Sequence, residues 1–79
     1  MKSIYSETYR TLIGQLICAR KKRGITQAAL AGKLGKPQSF VAKIETCERR
    51  LDVVEFLVLS RLIGEDPCQI ISALDLTGC

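Results

Sequence analysis

"TQAALAGKLGKPQSFVAKIE", Thr26 to Glu45, is the stretch whose reading decides how this chain folds. Let Gln27 stand first in a window of twenty. Leu30, Ala31, Leu34, Gly35, Val41 and Ile44 then fall at the fourth, fifth, eighth, ninth, fifteenth and eighteenth places. Each has a steric reason to be there. The Thr26 hydroxyl can cap a short helix, and Leu30, Ala31 and Leu34 form its inner stripe. Gly35 can end that helix in the left-handed conformation. Pro37, with its fixed φ, suits the first turn of the next helix. Only Lys36 separates Gly35 from Pro37, so the two helices must cross at a large angle. Ala31 must be small where they cross. Leu30, Leu34, Val41 and Ile44 plug the angle between them.

Working outward, the punctuation predicts helices throughout, because nothing alternates apolar and polar residues long enough to propose a strand. A first helix is expected from near Ser6 to Arg23. Leu12, Leu16 and Ala19 share one face of it, with Ile13 and Ile17 beside them. Arg20, Lys21, Lys22 and Arg23 crowd its C-terminus, where they complement the helix dipole, and Gly24 can stop it. After the central pair, Asp52 caps a fourth helix, Glu55 completes a capping box and Leu51 can staple to Phe56. Gly64 ends it. Asp66, Pro67 and Gln69 repeat the device for a fifth helix carrying Ile70, Ile71 and Leu74. The expectation is one all-α domain of five short helices over residues 1–79, with no repeat, linker or low-complexity tract.

Of the 79 residues, 47% are hydrophobic, ample for a small core, and the surplus can serve a subunit interface. The net charge of +4 is unevenly spread. Residues 20–50 hold nine Lys/Arg and two acids and carry +7, while the rest carries −3. A basic middle of this kind suits an anionic partner or simply a solvated face. The four cysteines, Cys18, Cys47, Cys68 and Cys79, show no C-x-x-C spacing, and histidine is absent. Zinc sites of the usual Cys/His kind are therefore not expected, and no metal or cofactor is proposed. Residues 1–11 are mostly polar and read as no signal peptide, and no apolar run approaches the ~18 residues of a membrane span. The expected location is the cytoplasm, with free thiols and association with the nucleoid.

The spacing of the opening stretch is the helix-turn-helix pattern, over about residues 26–45, and the second helix of such a pair is the one placed in a DNA major groove. "RKKRGITQAALAGKLGKPQSFVAKIETCERRLDVVEFLVLSRLIGEDP", Arg20 to Pro67, resembles the Cro/C1-type (XRE) helix-turn-helix domains, which include lambdoid phage repressors. The likeness runs from about Leu12 to Leu74. It implies a five-helix, lambda-repressor-like fold and sequence-specific binding to double-stranded DNA. It also implies a homodimer on a palindromic operator, acting as a repressor of bacterial or phage origin.

The resemblance also implies roles. Gln38 and Ser39 open the recognition helix, over residues 37–45, and Lys43 lies one turn on; these three are the expected base contacts. Their chemistry agrees. Gln38 can bond adenine N6 and N7 together, Ser39 can donate or accept, and Lys43 can reach guanine O6/N7 or a phosphate. Gln27 is expected on a phosphate, bracing the recognition helix, and its backbone N–H at a helix N-terminus is a natural phosphate donor. Lys36, Thr46, Arg49 and Arg50 are the other candidate backbone contacts, which set register without reading sequence. Lys21, Lys22 and Arg23 either join them or only complete a helix C-terminus. Arg20 and Glu45 match a structural ion pair that fixes the angle of the recognition helix. Phe40 can pack, touch a thymine methyl or contact sugar; packing is preferred. Cys47 stands where relatives commonly have glycine, so either it adopts a strained turn or the turn is built differently.

A single recognition helix reads few base pairs, so two copies are needed. The dimer surface is expected on the fifth helix and tail, residues 66–79 (Ile70, Ile71, Leu74 and Leu76), with Ile4, Tyr5 and Tyr9 as neighbours. Closing the monomer's own core is the competing role for Ile70 and Leu74. A protein-interaction module, such as the antitoxin half of a toxin–antitoxin pair, or a restriction–modification controller is the alternative function. Catalysis is not expected: there is no histidine, no Gly-rich phosphate loop and no nucleophile paired with a base.

Overall fold

The structure, a computed structural model, describes residues 2–74, and side-chain surroundings from Glu7 onward. Within them the regular elements are five helices: α1 (Lys2–Lys22), α2 (Gln27–Leu34), α3 (Gln38–Glu45), α4 (Val53–Ile63) and α5 (Pro67–Ser72). The fold is all-α. Helix α1 starts four residues before the expected Ser6, since no Gly or Pro interrupts residues 2–5. Pro37 is the N-cap of α3 rather than its first helical residue: its ψ of 157° is extended, and helical geometry begins at Gln38.

The starts of α2, α4 and α5 are set by side chains that satisfy first-turn N–H groups. Thr26 Oγ1 accepts from Ala29 N–H at 3.0 Å. Asp52 accepts from Glu55 N–H at 2.7 Å while Glu55 accepts from Asp52 N–H at 3.1 Å, a closed capping box. At α5, Asp66 accepts from Cys68 N–H, and the reciprocal bond expected from Gln69 is not formed among the described residues.

The ends of α1 to α4 share one device. A residue with positive φ is followed by an N–H that reaches back five residues, as Lys36 N–H does to Ala31 and Glu48 N–H to Lys43. Glycine supplies the positive φ at Gly24, Gly35 and Gly64; Cys47, at φ 64°, supplies it after α3. Of the two readings left open for Cys47, the strained turn is the one found.

The core is Ile13 and Leu16 of α1, Leu30 and Ala31 of α2, Val41 and Ile44 of α3, Phe56, Leu59 and Ile63 of α4, and Ile70 of α5. Leu12, Ile17, Ala19 and Leu34 pack at its margin. Ala31 is 2% exposed where α2 packs against α3. A larger side chain there would force the crossing apart, at about 1–3 kcal/mol. Fully burying Val41 and Ile44 contributes roughly 1.5–3 kcal/mol each, and this anchors α3 on the body.

Candidate nucleic-acid interface

The same anchoring decides what α3 shows to solvent. With Val41 and Ile44 turned inward, Gln38, Ser39 and Lys43 are exposed. The left-handed Gly35 turn directs the chain out of α2, and Pro37 starts the next helix without a donor to lose. The sequence thus places three polar, hydrogen-bonding side chains on a short, rigidly held helix.

A chain of four side chains crosses from α1 to the start of α3. Arg20 Nε donates to Glu45 Oε2 at 2.6 Å and Nη2 to Oε1 at 3.0 Å. Arg20 Nη1 donates to the Ile25 carbonyl at 2.7 Å, tying the same guanidinium to the loop before α2. Gln27 Nε2 donates to Glu45 Oε1 at 2.8 Å. Gln38 Nε2 donates to Gln27 Oε1 at 3.3 Å. The two pair members are nearly withdrawn from water, with side-chain exposures of 8% and 12%. Gln27 therefore braces α3 through its side chain. Its backbone N–H, at the start of α2, has no intrahelical acceptor.

The loop after α3 is held from three sides. Phe40 packs at the edge of the core, between the Arg49 guanidinium at 4.5 Å and Lys36 Nζ at 5.4 Å from its ring centre. Arg49 also donates twice to Glu55, at 3.0 and 2.9 Å. That pairing raises the Arg49 pKa. It holds the Glu55 carboxyl below its ordinary range, with the Asp52 N–H as the next contributor. Arg50 stacks on Tyr9 at 4.4 Å, and the Tyr9 hydroxyl accepts from Leu51 N–H at 3.0 Å and donates to the Arg49 carbonyl at 3.5 Å. Tyr9 thus pins the loop to α1. Thr46 Oγ1 lies 3.2 Å from the Lys43 carbonyl and 2.9 Å from Glu48 Oε2, acceptors for its single hydrogen.

The candidate residues accordingly fall into different places. Gln38, Ser39, Lys43, Lys36, Thr46 and Arg50 are exposed, while Arg49 is half-buried and has both terminal nitrogens on Glu55. Arg23 pairs with Glu65 at 3.1 Å, and Lys21 and Lys22 are exposed. Ile70, expected at a dimer surface, is 6% exposed in the core of the single chain and is not available to a partner. Ile71 is 48% exposed and Leu74 half-buried. Leu76 and Cys79, and the side chains of Ile4 and Tyr5, lie outside the described residues. The links from Gln27 to Glu45 and from Arg49 to Glu55 escaped sequence reasoning; the only signal for them was an amide or acid one helix away from a basic or polar candidate.

A buried crossing at Ala31, a left-handed glycine turn and a polar face held outward define a helix-turn-helix DNA-binding domain. A helix-turn-helix family model matches residues 19–70. The chain belongs to that family, and within it to the Cro/C1, or XRE, type. It is similar to a solved structure described as an XRE-family like protein from Pseudomonas syringae pv. tomato str. DC3000. The two are 47% identical over 99% of this chain and 95% of that one, with a TM-score of 0.91. Comparison with curated proteins returns no match. The protein is a DNA-binding transcription regulator of the XRE family. Among the described residues no helix is long and apolar enough to cross a membrane.

Proposed function

We propose that the protein represses transcription as a homodimer on a palindromic operator, each copy laying α3 in the major groove. The observation that carries this is the exposed Gln38, Ser39 and Lys43 face on a helix whose opposite face, Val41 and Ile44, is buried. Gln38 reads adenine, Ser39 bonds the neighbouring base edge, and Lys43 takes guanine or a phosphate. Lys36, Arg50, Thr46 and the Gln27 N–H hold the backbone and set the register. Arg49 acts on the same loop by position, since Glu55 occupies its guanidinium. Two half-sites about one helical turn apart suit a two-fold dimer.

Selection of bound sequences from a random duplex pool, repeated at two salt concentrations, tests the proposal. The expected result is a palindromic consensus whose affinity falls steeply with salt. No enrichment, with binding only to a co-purified protein, would favour the protein-interaction reading instead.

A further inference from the structure

Helix α4 reads VVEFLVLSRLI, with only Glu55, Ser60 and Arg61 polar among its eleven residues. A helix that is apolar nearly all round is ordinarily covered on every side. Here one side is covered: Phe56, Leu59, Ser60 and Ile63 face the core. The other side is bare, with Val53 73%, Val54 67%, Val58 42% and Leu57 37% exposed. Val54, Leu57, Val58 and Arg61 stand at i, i+3, i+4 and i+7, which is one continuous seam along the helix.

We infer that this seam is where two copies of the chain meet, α4 against α4, antiparallel across a two-fold axis; the inference rests on the homodimer proposed above. The seam is complementary to itself in that arrangement and in no parallel one. An isologous contact sets residue i on j and j on i. With the axis between Leu57 and Val58, Leu57 faces the second copy's Val58, and Val54 lies under the stem of its Arg61. The Arg61 guanidinium then reaches the N-terminal end of the opposite helix, where Asp52 is exposed with one carboxylate oxygen, Oδ1, already on Glu55 N–H. Among the described residues Arg61 enters no ion pair within its own chain. The acid at one end of each helix thus meets the base at the other end of its mate, twice, and the helix dipoles oppose favourably. The location also serves the reading face. Val54 and Val58 border a shallow recess shared with Phe40 and Lys36 at the start of α3, so a two-fold axis crossing α4 at this seam keeps the start of each recognition helix close to the interface.

The test is sedimentation equilibrium of the full chain, free and on a palindromic duplex, with helix content followed by circular dichroism. Val54→Glu and Val58→Glu should raise the dimer dissociation constant more than about tenfold, the equivalent of ~1.4 kcal/mol, with helix content unchanged. Val54→Ser, too small a change to unfold an exposed turn, should shift it in the same direction. Arg61→Glu should weaken the dimer several-fold and Arg61→Lys should largely spare it. A wild type that stays monomeric both free and on DNA overturns the homodimer and this seam together. A wild-type dimer that survives the Val54 and Val58 variants keeps the homodimer and overturns the seam, and its loss in Ile71→Glu would place the contact on α5.

Discussion

Arg20 on α1 and Glu45 at the end of α3 share two parallel N–H···O bonds, 2.6 and 3.0 Å long, in a nearly buried site. Breaking one partner of such a pair leaves the other charge without a counterpart in a poorly solvated place, at ~3–5 kcal/mol. Arg20→Ala should lower the urea midpoint accordingly and weaken operator binding, because the angle of α3 loosens. An unchanged midpoint with unchanged affinity would show that the pair positions nothing.

Gln38 and Gln27 should prove coupled in base reading. Gln38→Ala should relax preference at one position in each half-site, losing ~1–3 kcal/mol of discrimination there. Gln27→Ala should relax the same position, since it frees the Gln38 side chain from its 3.3 Å tether. A double-mutant cycle on the selected operator and its mismatch measures the coupling. Additive losses would contradict the tether.

The two arginines of the loop should part company in salt. Arg50→Ala should weaken all sequences alike and reduce the slope of log K against log salt by roughly one. Arg49→Ala should disturb Phe40 and Glu55 and lower thermal stability, with less change in slope. Equal changes in slope for both would place Arg49 on a phosphate.

Cys47 holds a φ of 64°, a region where a side chain with a β-carbon is strained. The hydrogen bonds of the turn, Cys47 N–H to Ile44 and Glu48 N–H to Lys43, need that conformation, not the thiol. Cys47→Gly should therefore stabilise the protein by about 1 kcal/mol, read from chemical denaturation. Destabilisation would mean that the side chain's packing at the core margin outweighs the strain.

Glu55 gives a pH signature. Its carboxyl is held low, first by Arg49 and then by the Asp52 N–H. A group with a depressed folded pKa stabilises the fold above its unfolded pKa, and that stability is lost as pH falls through the folded value. Melting temperature should thus fall as pH drops below about 4.3, the ordinary Glu value. Glu55→Gln, which keeps a capping-box side chain, should flatten that fall. Parallel curves for wild type and variant would remove Glu55 from the acid response.

What the sequence made legible was local. Gly24, Gly35 and Gly64 announced three helix ends, Thr26 and Asp52 two starts, and the spacing from Leu30 to Ile44 the crossing of α2 on α3. These depend on a residue and its neighbours within a turn. The contacts of Gln27 with Glu45 and of Arg49 with Glu55 depend on where separate elements come to lie, and periodicity carries no such information. Pro37 does not reveal whether it is the cap or the first helical residue, because its φ fits both and only ψ separates them. The bare side of α4 was hidden for a related reason. A nearly all-apolar helix reads as core until its neighbours are seen to cover one face of it.

The amide chain that ends at Gln38 also has a direction. A carboxylate can only accept, so Glu45 compels Gln27 to turn its NH2 group inward and its carbonyl outward. That carbonyl in turn compels Gln38 to turn an NH2 hydrogen back toward it. What Gln38 has left to offer is one carbonyl and one N–H in a fixed order, the mirror of the donor and acceptor that adenine displays in the major groove. In the docking proposed above, Glu45 would stay off the DNA and still act as a polarity filter on the letter that Gln38 reads. Exchanging that acid for a neutral amide would let both glutamines flip, adding a loss of spelling to the weaker grip that follows from leaving Arg20 unpaired.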